Sequence, residues 1–218
     1  MPEDPTGTPV ATSSTPASSR DRILFAGKRL FARNGYENTS TVAIARDAGT
    51  SESQLMKHFG SKQGLLTAIL DRGWSSIIHR LQASSETAPA TRLLGALEAV
   101  VIELQNDSEL KELMTLEACR IRKDNRDVVM SRGYHQFSEI LGALLREMRS
   151  QGQIRPDINL DALRAGLYGM AEGLLRDQVV AARSGFRADY SFDDVRKLLE
   201  ILVPALGCDV TQPSAVNL

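Results

Sequence analysis

The stretch from Thr39 to Leu66, TSTVAIARDAGTSESQLMKHFGSKQGLL, leaves few choices of fold. Its spacing predicts a short helix from Thr41 to Ala48, then a joint at Gly49, where glycine supplies backbone freedom. Ser51, followed three residues later by Gln54, is a capping-box pattern and opens a second helix running to about Phe59. Gly60 is a natural helix stop. Ile44, Ala45 and Ala48 mark the inward side of the first helix. Leu55 and Phe59, four apart, share the inward side of the second. Two short helices with a small-residue joint form a helix-turn-helix, whose second helix enters the DNA major groove.

With Leu55 and Phe59 turned inward, Glu52, Ser53, Gln54, Met56 and Lys57 are left to face bases. Polar groups there reach base edges, and Met56 suits a thymine methyl. Ser61 caps a third helix whose N-terminus is a ready anion site, and Lys62 adds a point charge beside it. Ser40, Thr41, His58 and Lys62 are the candidate phosphate contacts.

These positions, taken together, resemble the tetracycline-repressor-like (TetR/AcrR) transcriptional regulators. The resemblance covers roughly Ile23 to Leu66. It rests on Leu30-Phe31, Gly35-Tyr36, Thr39-Ser40, Ile44-Ala45, Ala48-Gly49, Ser51, Leu55, His58-Phe59, Ser61-Lys62 and Leu65-Leu66, in family order and spacing. Thr41 and Thr50 stand where the family usually has Val or Ile, Ser53 where Gly is common, and Met56 where Tyr is common. The resemblance implies a homodimer on a double-stranded DNA operator, a repressor more often than an activator. It also implies a body cavity in which an unidentified small-molecule effector spreads the two DNA-binding heads.

The flanking sequence fits a head and a body. Residues 1–19 are rich in Pro, Ser, Thr and Gly and predict a disordered tail. Ile23, Leu24, Leu30 and Phe31 predict a helix from Arg20 to Asn34. A long helix from Ser61 to about Gln82, carrying Trp74, leaves the head and enters the body. Residues 20–82 hold ten Lys or Arg against five Asp or Glu, whereas 83–218 hold sixteen against twenty. A basic head on an acidic body suits DNA binding.

From residue 83 onward helices are predicted throughout: Ala90 to Gln105, Ser108 to Arg122, Asp127 to Gln151, Asn159 to Arg183, and Phe192 to Leu206. No strand-like alternation appears, so the fold class is all-α: a three-helix DNA-binding domain, then a larger helical ligand-binding and dimerisation domain. Met114, Tyr134, Phe137 and Leu141, with Trp74, are candidate lining for the effector cavity, although apolar residues at helical spacing serve equally as core. Gly166, Gly169 and Gly173 in one helix suggest close packing against another backbone. The last helix is apolar around much of its circumference and needs burial on more than one side. The predicted dimer interface is Gly166, Met170, Leu174, Leu198, Leu202 and Leu206.

No enzyme motif stands out. His58, His79 and His135 are scattered, Cys119 has no evident base, and Cys119 and Cys208 lack metal or disulfide-framework spacing. No cofactor is expected. No apolar run approaches a membrane span, and no signal peptide is visible, so the expected location is cytoplasmic. The rival readings are a helical dimeric adaptor and an all-α enzyme, neither binding DNA.

Overall fold

The computed structural model describes residues 18–83, 86–117 and 131–205. All regular structure among them is helical. In chain order the helices are α1 (Ser19–Asn34), α2 (Thr41–Asp47), α3 (Glu52–Phe59), α4 (Lys62–Gln82), α5 (Pro89–Asn106), α6 (Ser108–Glu112), α7 (Arg132–Ser150), α8 (Leu160–Ser184) and α9 (Phe192–Ala205). The predicted tail (residues 1–17 of it), Cys119, Cys208 and Leu206 fall outside the described residues.

Side-chain caps set the helix starts. Ser18, Ser40, Ser51 and Ser61 each accept a hydrogen bond from a backbone N–H of the first turn, at α1, α2, α3 and α4 in turn. Asp107, Ser131 and Asn159 do the same for α6, α7 and α8. Each such cap contributes about 1 kcal/mol by satisfying a donor that the helix leaves orphaned. At α9, the Ser191 hydroxyl accepts from the Asp194 N–H, and the Asp194 carboxylate accepts from the Ser191 N–H at 2.8 Å.

One predicted helix changes character. The run expected from Ser108 to Arg122 is α-helical only to Glu112, then widens to a π-helical turn over Leu113–Glu117. Leu113, Met114 and Thr115, all buried, lie in this turn. The Thr115 hydroxyl donates back to the Lys111 carbonyl at 2.7 Å, a contact that competes with the helical ladder. The helix predicted from Asp127 is described only from Arg132.

Helix α4 runs through the molecule as its axis. Leu65, Leu66, Ile69 and Leu70 pack into the head, and Trp74, Ile77 and Ile78 are buried in the body. The rod packs on α1 and α3 near its start and on α5 and α7 further along. Its tightest crossing is at α7. A Cβ on Gly133 would lie 2.2 Å from the Trp74 Cβ, so only glycine admits this approach. Asp71 accepts from the Gly133 N–H at 3.0 Å in the same place. Helix α9 covers α5 with Val195, Leu199 and Val203, which are buried.

Candidate nucleic-acid interface

The second and third helices meet at a joint built as the spacing predicts. Gly49 takes a positive φ of 60°, a conformation that costs other residues, and the Thr50 N–H returns to the Ala45 carbonyl at 2.9 Å. Ile44, Ala45 and Ala48 are buried below α2, and Leu55 is fully buried below α3. Two further contacts fasten the pair to α1. Arg22 donates to the Ala48 carbonyl at 3.0 Å, and Arg29 pairs with Asp47. Buried Thr39 locks the approach to α2 by donating to the carbonyls of Leu30 and Gly35, at 3.1 and 2.8 Å.

This packing leaves one side of α3 outside. Glu52, Ser53, Gln54, Met56, Lys57 and His58 are all exposed, Met56 at 45%. Phe59 is only partly buried, and the Arg20 guanidinium lies over its ring at 5.3 Å. The exposed residues are not equally at liberty to meet a ligand. Thr41 donates to the Glu52 carboxylate, so a proposed phosphate contact holds a proposed base contact. Ser53 shares a hydrogen bond with the capping Ser51 at 2.9 Å, and His58 shares one with Ser19 at 3.1 Å. Ser40 spends its hydroxyl capping α2.

Lys62 stands at the first position of α4. Its ammonium lies 4.4 Å above the ring of Tyr36 and donates to the Glu37 carbonyl at 3.3 Å. Tyr36 in turn packs on Phe31 with 5.2 Å between ring centroids. The charge is therefore positioned in advance rather than left on a free stem. One residue at this surface escaped the sequence reading. Arg20, at the foot of α1, carries no motif of its own, and only the assembled helices bring it over Phe59.

The remaining candidates fall in two other places. Trp74, Met114, Phe137 and Leu141 are buried, and Tyr134 is partly buried. Trp74 lies 4.9 Å from Phe137 and 5.7 Å from Tyr134, and Tyr168 joins them 5.5 Å from Tyr134. These aromatics lie against one another. Gly166, Met170, Leu174, Leu198 and Leu202 lie on α8 and α9, with Gly166 and Leu198 exposed and the other three partly buried. Among the described residues the α8 glycines make no close backbone approach within one chain. A Cβ on Gly166 or Gly169 would meet nothing within 4 Å, and one on Gly173 only the end of Arg176. Ile201, 66% exposed, and Val180, 40% exposed, extend this outward apolar surface.

The head is tied to the body by charge as well as by α4. Lys28 on α1 pairs with Asp107 at 2.5 Å and Glu109 at 3.5 Å, at the start of α6. Within the head, Arg72 of α4 pairs with Asp21 of α1 at 2.9 Å. Asp21 titrates below the usual carboxylate range, chiefly because the Ser18 hydroxyl donates to it and next because of Arg72.

A serine-capped helix pair with its second helix exposed, on a larger helical body, defines the class: a helix-turn-helix DNA-binding regulator. Residues 23–69 match the family model described as bacterial regulatory proteins, tetR family. The chain belongs to that family, and its relatives are named transcriptional regulators. It is 24% identical to the HTH-type transcriptional regulator UidR of Escherichia coli K12 over 161 residues, 73% of this chain and 81% of UidR. It is 29% identical to the HTH-type transcriptional repressor KstR2 of Mycolicibacterium smegmatis over 153 residues, 69% of this chain and 74% of KstR2. The fold matches FadR from Bacillus subtilis, solved in complex with stearoyl-CoA, with a TM-score of 0.72 and 17% identity over 85% of this chain and 98% of FadR. Among the described residues no helix is long and apolar enough to cross a membrane.

Proposed function

We propose that the chain works as a homodimeric repressor that binds a pseudo-palindromic operator and is released by a small molecule. It divides into a DNA-binding head, residues 20–82, and a regulatory body, residues 83–218. The observation that carries the reading is the exposed polar side of α3 above fully buried Leu55, with preset Lys62 beside it. Gln54, Met56 and Lys57 read bases, with Glu52 and Ser53 at the entry of the helix. Ser40, Thr41, His58 and Lys62 hold phosphates. Dimerisation through α8 and α9 supplies the second reading helix, one helical turn of DNA away. The stearoyl-CoA held by the FadR relative in fold supports a body that takes a small molecule, and the names of the relatives support regulation rather than catalysis, inside the cell where the DNA lies.

The test is selection of bound sequences from a random duplex pool, followed by titration of the winner at several salt concentrations. A two-fold-symmetric consensus bound with a steep salt dependence is the expected result. Sequence-independent binding, or none, rejects the reading and leaves the helical adaptor.

A further inference from the structure

Glu52 is the acidic residue of the reading helix ESQLMKHF, and it is exposed. A carboxylate there is a cost, because affinity for a polyanion comes from positive charge set against phosphates. Three other carboxylates of the head are disposed differently. Asp21 and Asp47 are paired with Arg72 and Arg29, and Asp71 is turned to the Gly133 N–H in the body. Glu52 is met by a neutral hydroxyl, that of Thr41, which leaves its negative charge in place.

The contact divides the carboxylate in two. Thr41, the first residue of α2, donates to Oε1 and holds the side chain at the entry of the reading helix. Among the described residues Oε2 has no donor, so it is left to accept from DNA. Thr41 has one hydroxyl hydrogen, and it goes to Glu52 rather than out to a phosphate. Ser51 and Ser53, on either side, share a hydrogen bond with each other at 2.9 Å. The first turn of α3 therefore presents a held acceptor that carries a full negative charge.

The base edges decide what such a group can meet. In the major groove guanine shows two acceptors, and thymine shows one acceptor and a methyl. Adenine sets its amino donor beside the acceptor N7. Cytosine alone shows an amino donor with no acceptor on the same base. We infer that Glu52 is a specificity-determining residue that selects cytosine through its 4-amino group, and that Thr41 is the positioning residue that aims it. The inference rests on the DNA-binding reading above, and within it gives the Thr41 hydroxyl to Glu52 rather than to a phosphate. The charge also acts against wrong sequences. Where no amino group meets it, the carboxylate is desolvated beside base acceptors and phosphates, which weakens binding there.

Selection from a random duplex pool, run on the full chain and on Glu52→Ala, Thr41→Val and Thr41→Ser, tests this. The wild type should return a consensus with a C·G pair fixed at one position of each half-site. Glu52→Ala should lose preference at that pair and keep the rest of the consensus, with discrimination there falling about tenfold. It should also bind scrambled duplex about threefold more tightly, because a negative charge leaves the interface. Thr41→Val removes the donor and keeps the shape. It should lower discrimination at the same pair about threefold with little change in melting temperature, and Thr41→Ser should restore it. Replacing the fixed cytosine by 2-pyrimidinone, which lacks the 4-amino group, should weaken the wild type about tenfold more than it weakens Glu52→Ala. A Thr41→Val variant that melts lower and keeps every base preference overturns the positioning role. A consensus unchanged by Glu52→Ala, or a preference lost at a pair other than C·G, overturns the inference and leaves the DNA-binding reading standing. No consensus for the wild type rejects the DNA-binding reading itself, and the inference with it.

Discussion

Arg183, in the last turn of α8, donates to the main-chain carbonyl of Ala32 in α1 at 3.0 Å. The same guanidinium pairs with Glu112 at the end of α6, its Nε donating at 2.8 Å. One side chain thus joins the helix with the outward apolar surface to the first helix of the DNA-binding head, across 151 residues of sequence. A shift of α8 against its neighbours is felt directly at α1.

Arg183→Met should remove both contacts. The side chain is half exposed, so the loss in stability should be modest, about 0.5–1 kcal/mol in urea denaturation. Arg183→Lys should recover only part of it, because an ammonium lacks the fork that reaches a carbonyl and a carboxylate at once. Full recovery by lysine would show that charge alone matters here.

Lys62 and Gln54 should differ in kind. Lys62→Ala removes a preset charge and should weaken binding to all duplexes about equally, with a fall of roughly one in the salt slope. Gln54→Ala should relax preference at particular operator positions, by about 1–3 kcal/mol for a lost bidentate contact. Binding measured on operator and on scrambled duplex separates the two. The same sequence-independent loss in both variants would place the reading side elsewhere.

Ile201→Asp tests the outward surface of α9. The side chain is 66% exposed in the single chain, so the charge should leave the protomer folded. In a dimer paired through α8 and α9 it is buried against the partner and should shift light scattering from two chains toward one at micromolar concentration. Leu202→Asp is a less clean test, because Leu202 is partly buried already. A variant as dimeric as the parent would exclude this surface.

Gly133→Ala should be destabilising although alanine is the better helix former. The added methyl would sit 2.2 Å from the Trp74 Cβ and force α4 and α7 apart. Overpacking of this kind costs about 1–3 kcal/mol, more than the roughly 1 kcal/mol gained in helix propensity. Urea unfolding followed by the emission of Trp74, the single tryptophan, reports both the loss and any change in the native ring environment.

Asp21 should contribute to acid sensitivity. Its folded pKa is depressed, first by the Ser18 hydroxyl and then by Arg72, so its stabilisation is present above the ordinary aspartate pKa of about 3.9. It is lost as pH falls through the lower folded value. Asp21→Asn should therefore be less stable than the parent at pH 7, and the difference should shrink toward zero in acid. A difference that is constant with pH would show that the carboxylate charge is not what matters.

The amino-acid sequence by itself determined the helices of the head. Ser40, Gly49, Ser51, Gly60 and Ser61 act within one turn of their own position, so caps and joint are legible without neighbours. The apolar spacing of Leu55, Leu65 and Leu66 likewise names the inward sides, and the match of the head to its family follows from these positions together. Only the tertiary structure decided what depends on distant parts of the chain. It put Tyr36 beneath Lys62, Thr41 against Glu52, and Arg183 on Ala32. It turned the segment after α6 into a π-helical turn, where the Thr115 hydroxyl donates to the Lys111 carbonyl. Trp74 and Phe137 read identically as core or as cavity lining, since periodicity records which side is apolar and not whether the space beyond it is filled. Packing decides that: it sets the Trp74 and Phe137 rings 4.9 Å apart and leaves a cavity beside Gly95.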